Sequence, residues 1–218
     1  MADSVLIVGG SRGIGLGLVK IFANQGWEVH TTVRDDKGKE RVSQIGGNIS
    51  IHQLDVRNKR MTSQLAKKLQ SKALDVLLHN AGVYGNGMPE SEVLQINSVA
   101  PFEVVAAFLH SVLRSTHKKI AILTSQMGAR NGGETPTGTY GKSKCFLNDK
   151  FREHEPEWRA LGATSIVIHP GWVATDMGGA SAPISVTASA AGIYKTLENL
   201  SANKSGSFLT WEGNRHPW

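Results

Sequence analysis

The 218 residues predict one α/β domain, a doubly wound parallel sheet in a three-layer α/β/α arrangement. Short β-branched runs alternate with stretches whose apolar residues recur at helical spacing, and such alternation demands crossovers between parallel neighbours. Several of the runs are apolar throughout, as strands covered on both faces must be. The glycine clusters and short polar motifs follow directly after strands, at the edge where open parallel sheets bind ligands. No linker, repeat or low-complexity tract divides residues 1–218, so a single domain is expected.

Val5-Leu6-Ile7-Val8 is the expected first strand, buried on both faces. Gly9-Gly10-Ser11-Arg12-Gly13-Ile14-Gly15 breaks the chain, after which Ile14, Leu18, Val19 and Phe22 share one helical face. Val29-His30-Thr31-Thr32-Val33, residues 49–54 and Leu74-Asp75-Val76-Leu77-Leu78 supply the next three strands. Residues 91–115 predict a long helix, kinked near Pro101 because an interior proline removes a backbone donor. Residues 120–123 are the fifth strand, residues 140–154 a helix, and Ser165-Ile166-Val167-Ile168 the sixth strand. Residues 184–200 form the last helix, and Phe208-Leu209 a short edge strand.

Composition narrows the function classes. A lone cysteine, Cys145, excludes an intramolecular disulfide and points to a reducing, cytoplasmic setting. It follows Lys144, whose charge could lower the thiol pKa, but a small buried thiol is the preferred expectation. No apolar run approaches the roughly 18 residues that span a bilayer, and the N-terminus lacks a signal peptide's basic start, so no membrane partner is expected. The net charge is +6, but the basic residues form no block, which favours an enzyme with an anionic cofactor over a nucleic-acid-binding protein. The eight histidines show no metal-ligand spacing, so no metal site is expected.

The glycine turn between strand and helix is the first candidate site. Glycine permits φ > 0 and lets a pyrophosphate approach without a Cβ in the way, while free amides at the helix start face the phosphates. A tight turn without a ligand is the alternative. In this context Gly9, Ser11, Arg12, Gly13, Ile14 and Gly15 point to dinucleotide binding in a Rossmann-type domain. The end of the second strand distinguishes the dinucleotides, because a carboxylate there suits a ribose 2′-hydroxyl and arginine suits a 2′-phosphate. Thr32-Val33-Arg34, with Arg12 as a converging second guanidinium, predicts NADP(H). Asp35 would present an acid if the register shifted by one, and Arg34 could instead be a solvated charge. Asp55 and Val56 could take an adenine amino group and ring face, with a helix N-cap as the rival role of Asp55. Asn80-Ala81-Gly82 combines a compact amide with room for close backbone approach.

Tyr140 and Lys144 stand four apart in a helical pattern and so share one face. A neighbouring ammonium favours phenolate, which predicts a Tyr140 pKa below its ordinary value of about 10 and a proton carrier near neutral pH. Ser125 ends the fifth strand, where its hydroxyl could donate to a carbonyl oxygen; a serine merely closing the strand is the alternative. Asn97 sits mid-helix against its propensity, either as an inward amide holding a water near Lys144 or as a buried structural asparagine. Tyr84, Met88, Met127, Trp172 and Met177 could line the reacting end, although an apolar set of this kind also suits a core.

The ordered set Gly9-x3-Gly13-Ile14-Gly15, Asp55, Asn80-Ala81-Gly82, Asn97, Ser125, Tyr140-x3-Lys144 and Pro170-Gly171 resembles the short-chain dehydrogenase/reductase family over residues 5–177. The resemblance implies a catalytic tetrad of Asn97, Ser125, Tyr140 and Lys144. It also implies that Pro170, Gly171, Val173 and Thr175 close over a nicotinamide, and that the chain self-associates as a homodimer or homotetramer through the helices carrying Asn97 and Tyr140. The expected activity is NADPH-dependent reduction of a small aldehyde or ketone, or its reverse. The run after Pro170 is similar to the C-factor-like and carbonyl-reductase-like branch, which leaves a dinucleotide-binding signalling protein as the alternative. Val8 stands where the family usually has threonine, the stretch between Ser125 and Tyr140 is slightly long, and the region from Gly178 to Pro183 is short, which predicts an open substrate pocket. Trp211 and Trp218 are expected against either the sheet edge or a partner subunit.

Overall fold

The structure, a computed structural model, describes residues 2–131 and 138–218. Its seven-stranded sheet has the order β3-β2-β1-β4-β5-β6-β7, and every neighbouring pair runs parallel. The strands are β1 (Ser4–Val8), β2 (Glu28–Val33), β3 (Ile49–Gln53), β4 (Val76–His79), β5 (Lys119–Leu123), β6 (Thr164–His169) and β7 (Ser207–Thr210). The order reverses between β1 and β4, which opens a crevice at their carboxyl ends.

Strand alternation divides the core into two layers. Leu6, Val8 and Leu77 face a cluster completed by α3 (Lys59–Lys68), α5 (Ala100–Leu113) and α6 (Gly138–Ala160). Val5, Ile7 and Leu78 face the opposite cluster, built with α1 (Gly13–Asn24), α2 (Asp36–Ser43) and α7 (Val186–Glu198). Trp218 packs on the first cluster beside Phe151 and Phe208, and Trp211 on the second, so both tryptophans pack against the chain's own edge. Cys145 is buried, and desolvation raises its thiol pKa.

The long helix departs from expectation. It comprises α4 (Glu90–Leu94), a π-helical segment Gln95–Val99 and α5. Pro101 lies in the first turn of α5, where no backbone donor is required, and the irregularity falls upstream at Asn97. The sequence Glu90–Leu113 is also long and apolar enough to pass as a membrane span, against the reading that no such stretch exists. Its apolar residues serve the core, where Val104, Val105, Phe108 and Val112 are fully buried. Helix α6 continues to Ala160 with Pro156 inside it, beyond the expected end at 154.

Candidate active site

The glycine turn is held from three sides. Gly9 N–H donates to Thr32 Oγ1 at 2.9 Å, Gly10 N–H to the Thr32 carbonyl at 2.9 Å, and Asn80 Nδ2 to the Gly9 carbonyl at 2.6 Å. Thr32 therefore supplies a side-chain bond to the turn that Val8 cannot. Gly9 and Gly13 have φ of +89° and +51°, which a side-chain-bearing residue would adopt only under strain. Gly15 packs beneath, where a Cβ would fall 2.0 Å from the Gly9 carbonyl oxygen.

The other end of the site is built on α6. Gly128 lies so close to this helix that a Cβ would stand 2.5 Å from the Lys144 carbonyl carbon, and Asn148 Nδ2 donates to the Gly128 carbonyl at 3.1 Å. This contact holds the turn after β5, and with it Ser125, against the Tyr140 face of α6. Ser125 Oγ accepts from Met127 N–H at 3.2 Å and lies close enough to the Tyr140 phenol to lower its pKa. Lys144 Nζ donates to the Leu123 carbonyl at 2.9 Å and lies 5.9 Å from the Tyr140 ring centre. The Tyr84 ring stacks on Tyr140 at 5.0 Å.

The expected depression of Tyr140 is not found. Burial is the largest influence and pushes the phenol up to about 12, against a smaller opposing effect of Ser125. Lys144 contributes little because its ammonium is turned to the Leu123 carbonyl and is itself desolvated, which brings its pKa down to about 8. Near neutral pH Tyr140 is therefore a protonated donor.

Asn97 is fully buried and its side chain is engaged. Nδ2 donates to the Val83 carbonyl at 2.8 Å and to Ser143 Oγ at 2.9 Å, while Oδ1 accepts from Val83 N–H at 2.9 Å. The amide clamps the segment after β4 to α6, which matches the buried structural alternative. Both its protons are already used, so only Oδ1 keeps capacity toward the Lys144 side.

A cleft of about 310 Å³ connects the two ends. Gly9, Ser11, Arg12, Gly13, Ile14, Arg34, Asp55, Val56, Asn80, Ala81, Gly82, Tyr140, Lys144, Pro170 and Thr175 line it. Of the other expected residues, Gly15, Asn97, Ser125, Gly171 and Val173 are not part of this lining. Gly171 packs on Ile184 and Trp211, and Val173 is buried with its carbonyl accepting from Thr175 Oγ1 at 3.3 Å. Met177 lines the cleft, whereas Tyr84 and Trp172 are exposed rather than core. Residues 132–137, within the long stretch after Ser125, lie outside the described residues.

Two ambiguities close. Asp35 is the N-cap of α2, accepting from Gly38 N–H at 2.8 Å, and Asn58 rather than Asp55 caps α3. Asp55 instead accepts from Arg57, whose hydrogen bonds hold its carboxyl below the usual range, and Arg57 also pairs with Glu92. One expectation fails: Arg12 does not converge with Arg34 but pairs with Asp176 at 2.9 Å, reaching toward the segment after β6. Sequence reasoning also missed Arg41, Arg57, Thr124 and Asp176, all in the lining. Asp3, Asp75 and His117, which precede β1, β4 and β5 and so lie at the edge of the sheet opposite the cleft, bring ligand atoms within 4.8 Å of one another, but the Asp75 carboxylate already accepts from Ser4 N–H at 3.0 Å.

The arrangement fits an extended phosphate-bearing dinucleotide: a turn without side-chain bulk at its centre, guanidinium groups at one end and a buried ammonium beside a phenol at the other. Comparison with known proteins bears on the same point. A family model described as short chain dehydrogenase matches residues 3–185. The C-signal of Myxococcus xanthus is 32% identical over 155 residues, covering 66% of this chain and 93% of that protein. An uncharacterized oxidoreductase of Schizosaccharomyces pombe is 32% identical over 246 aligned positions, covering 98% and 96%. The carbonyl reductase Sniffer of D. melanogaster superposes with a TM-score of 0.90 at 29% identity, covering 100% of both chains. An NADPH-bound carbonyl reductase from chicken fatty liver gives 0.87 at 30% identity, covering 100% of this chain and 99% of that one. On the matched residues, the sheet order and the placement of the glycine turn, Ser125, Tyr140 and Lys144, the chain belongs to the short-chain dehydrogenase family.

Proposed function

We propose that this protein is an NADPH-dependent reductase of aldehyde and ketone carbonyls, operating in the cytoplasm as a homo-oligomer. The observation that carries the reading is the placement of Tyr140 beside Ser125, one helical turn from a buried lysine, at the end of a cleft that begins in a glycine turn. The likeness to carbonyl reductases supports it, one of them described as NADPH-bound.

When bound, the cofactor supplies the hydride. The amides of the turn from Gly9 to Gly15 hold its pyrophosphate, Asp55 and Val56 take the adenine, and Asn80, Ala81 and Gly82 border the ribose. Pro170 and Thr175 would hold the nicotinamide, with Gly171 and Val173 supporting that segment. Ser125 directs its hydroxyl to the substrate oxygen, and Tyr140, protonated at neutral pH, delivers its phenolic proton there. The Lys144 ammonium, one helical turn from Tyr140, would hold the nicotinamide ribose. Asn97 acts through Val83 and Ser143, keeping α6 and the segment after β4 in register.

A second reading, a dinucleotide-binding signalling protein with little turnover, is favoured by the likeness to C-signal. NADPH consumption in the presence of a panel of simple aldehydes and ketones separates the two. Turnover with several of them supports the reductase, while NADPH binding without consumption supports the signalling protein.

A further inference from the structure

Four arginines line the cleft; Arg57 is taken up by Asp55 and Glu92, and the other three are not equivalent. Arg12 leaves the glycine turn toward the segment after β6, where it pairs with Asp176. Gly13 beside it faces the same segment, since a Cβ there would meet Thr175 Cγ2 at 3.2 Å. Arg34 follows β2 directly and lies close enough to Asp55 to lower its pKa. Arg41 comes from α2, and its Nε donates to the Ser11 carbonyl at 2.9 Å.

Helix α2 is seated to make this possible. Gly38 and Arg41 are three residues apart and share a face of the helix. A Cβ on Gly38 would stand 2.8 Å from Ser11 Cβ and 3.2 Å from Val33 Cβ, so this face lies directly against the glycine turn and the end of β2. Of the two carboxylates near Arg34 in the lining, Asp35 is engaged in capping the helix and Asp55 is held by Arg57. Among the described residues neither Arg34 nor Arg41 takes part in an ion pair, and Arg41 is fixed through Nε alone, which leaves both terminal nitrogens for a ligand.

Resting on the NADPH reading above, we infer that Arg41 is the second guanidinium of the 2′-phosphate site: Arg34 and Arg41 grip the phosphate from β2 and α2, while Arg12 straps the glycine turn to Asp176. The paired donors suit a dianionic phosphate monoester, and a nucleotide without that group forfeits them.

Calorimetry with two probes lacking nicotinamide tests this: 2′,5′-ADP, which carries the 2′-phosphate, and 5′-AMP, which does not. The unmutated protein should prefer 2′,5′-ADP. Arg41→Ala should reduce that preference about ten- to a hundredfold, the worth of a charge-assisted contact, with 5′-AMP affinity and Tm unchanged. Arg12→Ala should leave the preference within about threefold. The inference is overturned if Arg41→Ala keeps the preference, or if Arg12→Ala abolishes it while Arg41→Ala does not. Equal affinity for both probes in the unmutated protein, or no binding of either, overturns the NADPH reading itself and the inference with it.

Discussion

The two ends of the cleft are built on opposite physical terms. At the phosphate end the polar groups are exposed: Arg12 pairs with Asp176 at side-chain exposures of 61% and 77%, and Arg57 is about as open as Tyr84. At the reacting end they are enclosed, with Asn97, Ser143, Lys144 and Ser125 all buried. Exposed ion pairs contribute little to stability and are easily exchanged for a ligand's charges. Buried donors and acceptors each need a partner, so the same residues that prepare the chemistry also hold the fold. Affinity for the anion is therefore adjustable by single substitutions on the surface, whereas the reacting geometry is not.

Substitution at the two ends should expose the contrast most strongly. Asn97→Ala leaves Val83 N–H and C=O without these partners, removes the donor to Ser143 Oγ, and should lower unfolding stability by about 2–4 kcal/mol. Arg57→Ala, which removes a larger number of charged contacts, should change stability by no more than about 1 kcal/mol because those contacts are open to water. Urea denaturation of both variants checks this; equal losses would break the comparison.

A smaller effect lies in the pH dependence. Burial brings His52 and His169 down to about 4 and His79 to about 3, from the ordinary 6.5. Between pH 6.5 and about 4 the unfolded chain then binds more protons than the folded one, so stability is lost as pH falls through that window. Tm should decline from pH 7 to 5, less steeply in His52→Gln. A flat profile contradicts the enclosed state of these rings.

The strands and the strand-end motifs were legible because buried parallel strands are apolar throughout and the glycine turn has a fixed place after the first of them. Helices α2 and α3 left little trace, since α2 buries only Gly38 and Val42, and α3 only Thr62 and Leu65, too few to show a helical period. The π-helical segment carried one signal, an asparagine at a helix centre, but Pro101 drew the expected irregularity downstream. Side-chain direction was not legible at all. Arg12 and Arg34 follow adjacent strands, yet only the packing of Gly13 against Thr175 shows that Arg12 turns the other way. The sign of the Tyr140 shift was missed for the same reason: spacing placed Lys144 near the ring but did not show its ammonium bound to the Leu123 carbonyl.

In the proposed reaction the proton comes from Tyr140, and Tyr140→Phe removes it with little change in shape. Single-turnover NADPH oxidation with a reactive aldehyde, measured beside NADPH affinity, tests it most directly. The variant should lose at least about a thousandfold in rate, within the range of a general acid combined with its hydrogen bond to the oxyanion, while binding NADPH as before. Turnover within tenfold of the unmutated protein would contradict the assignment.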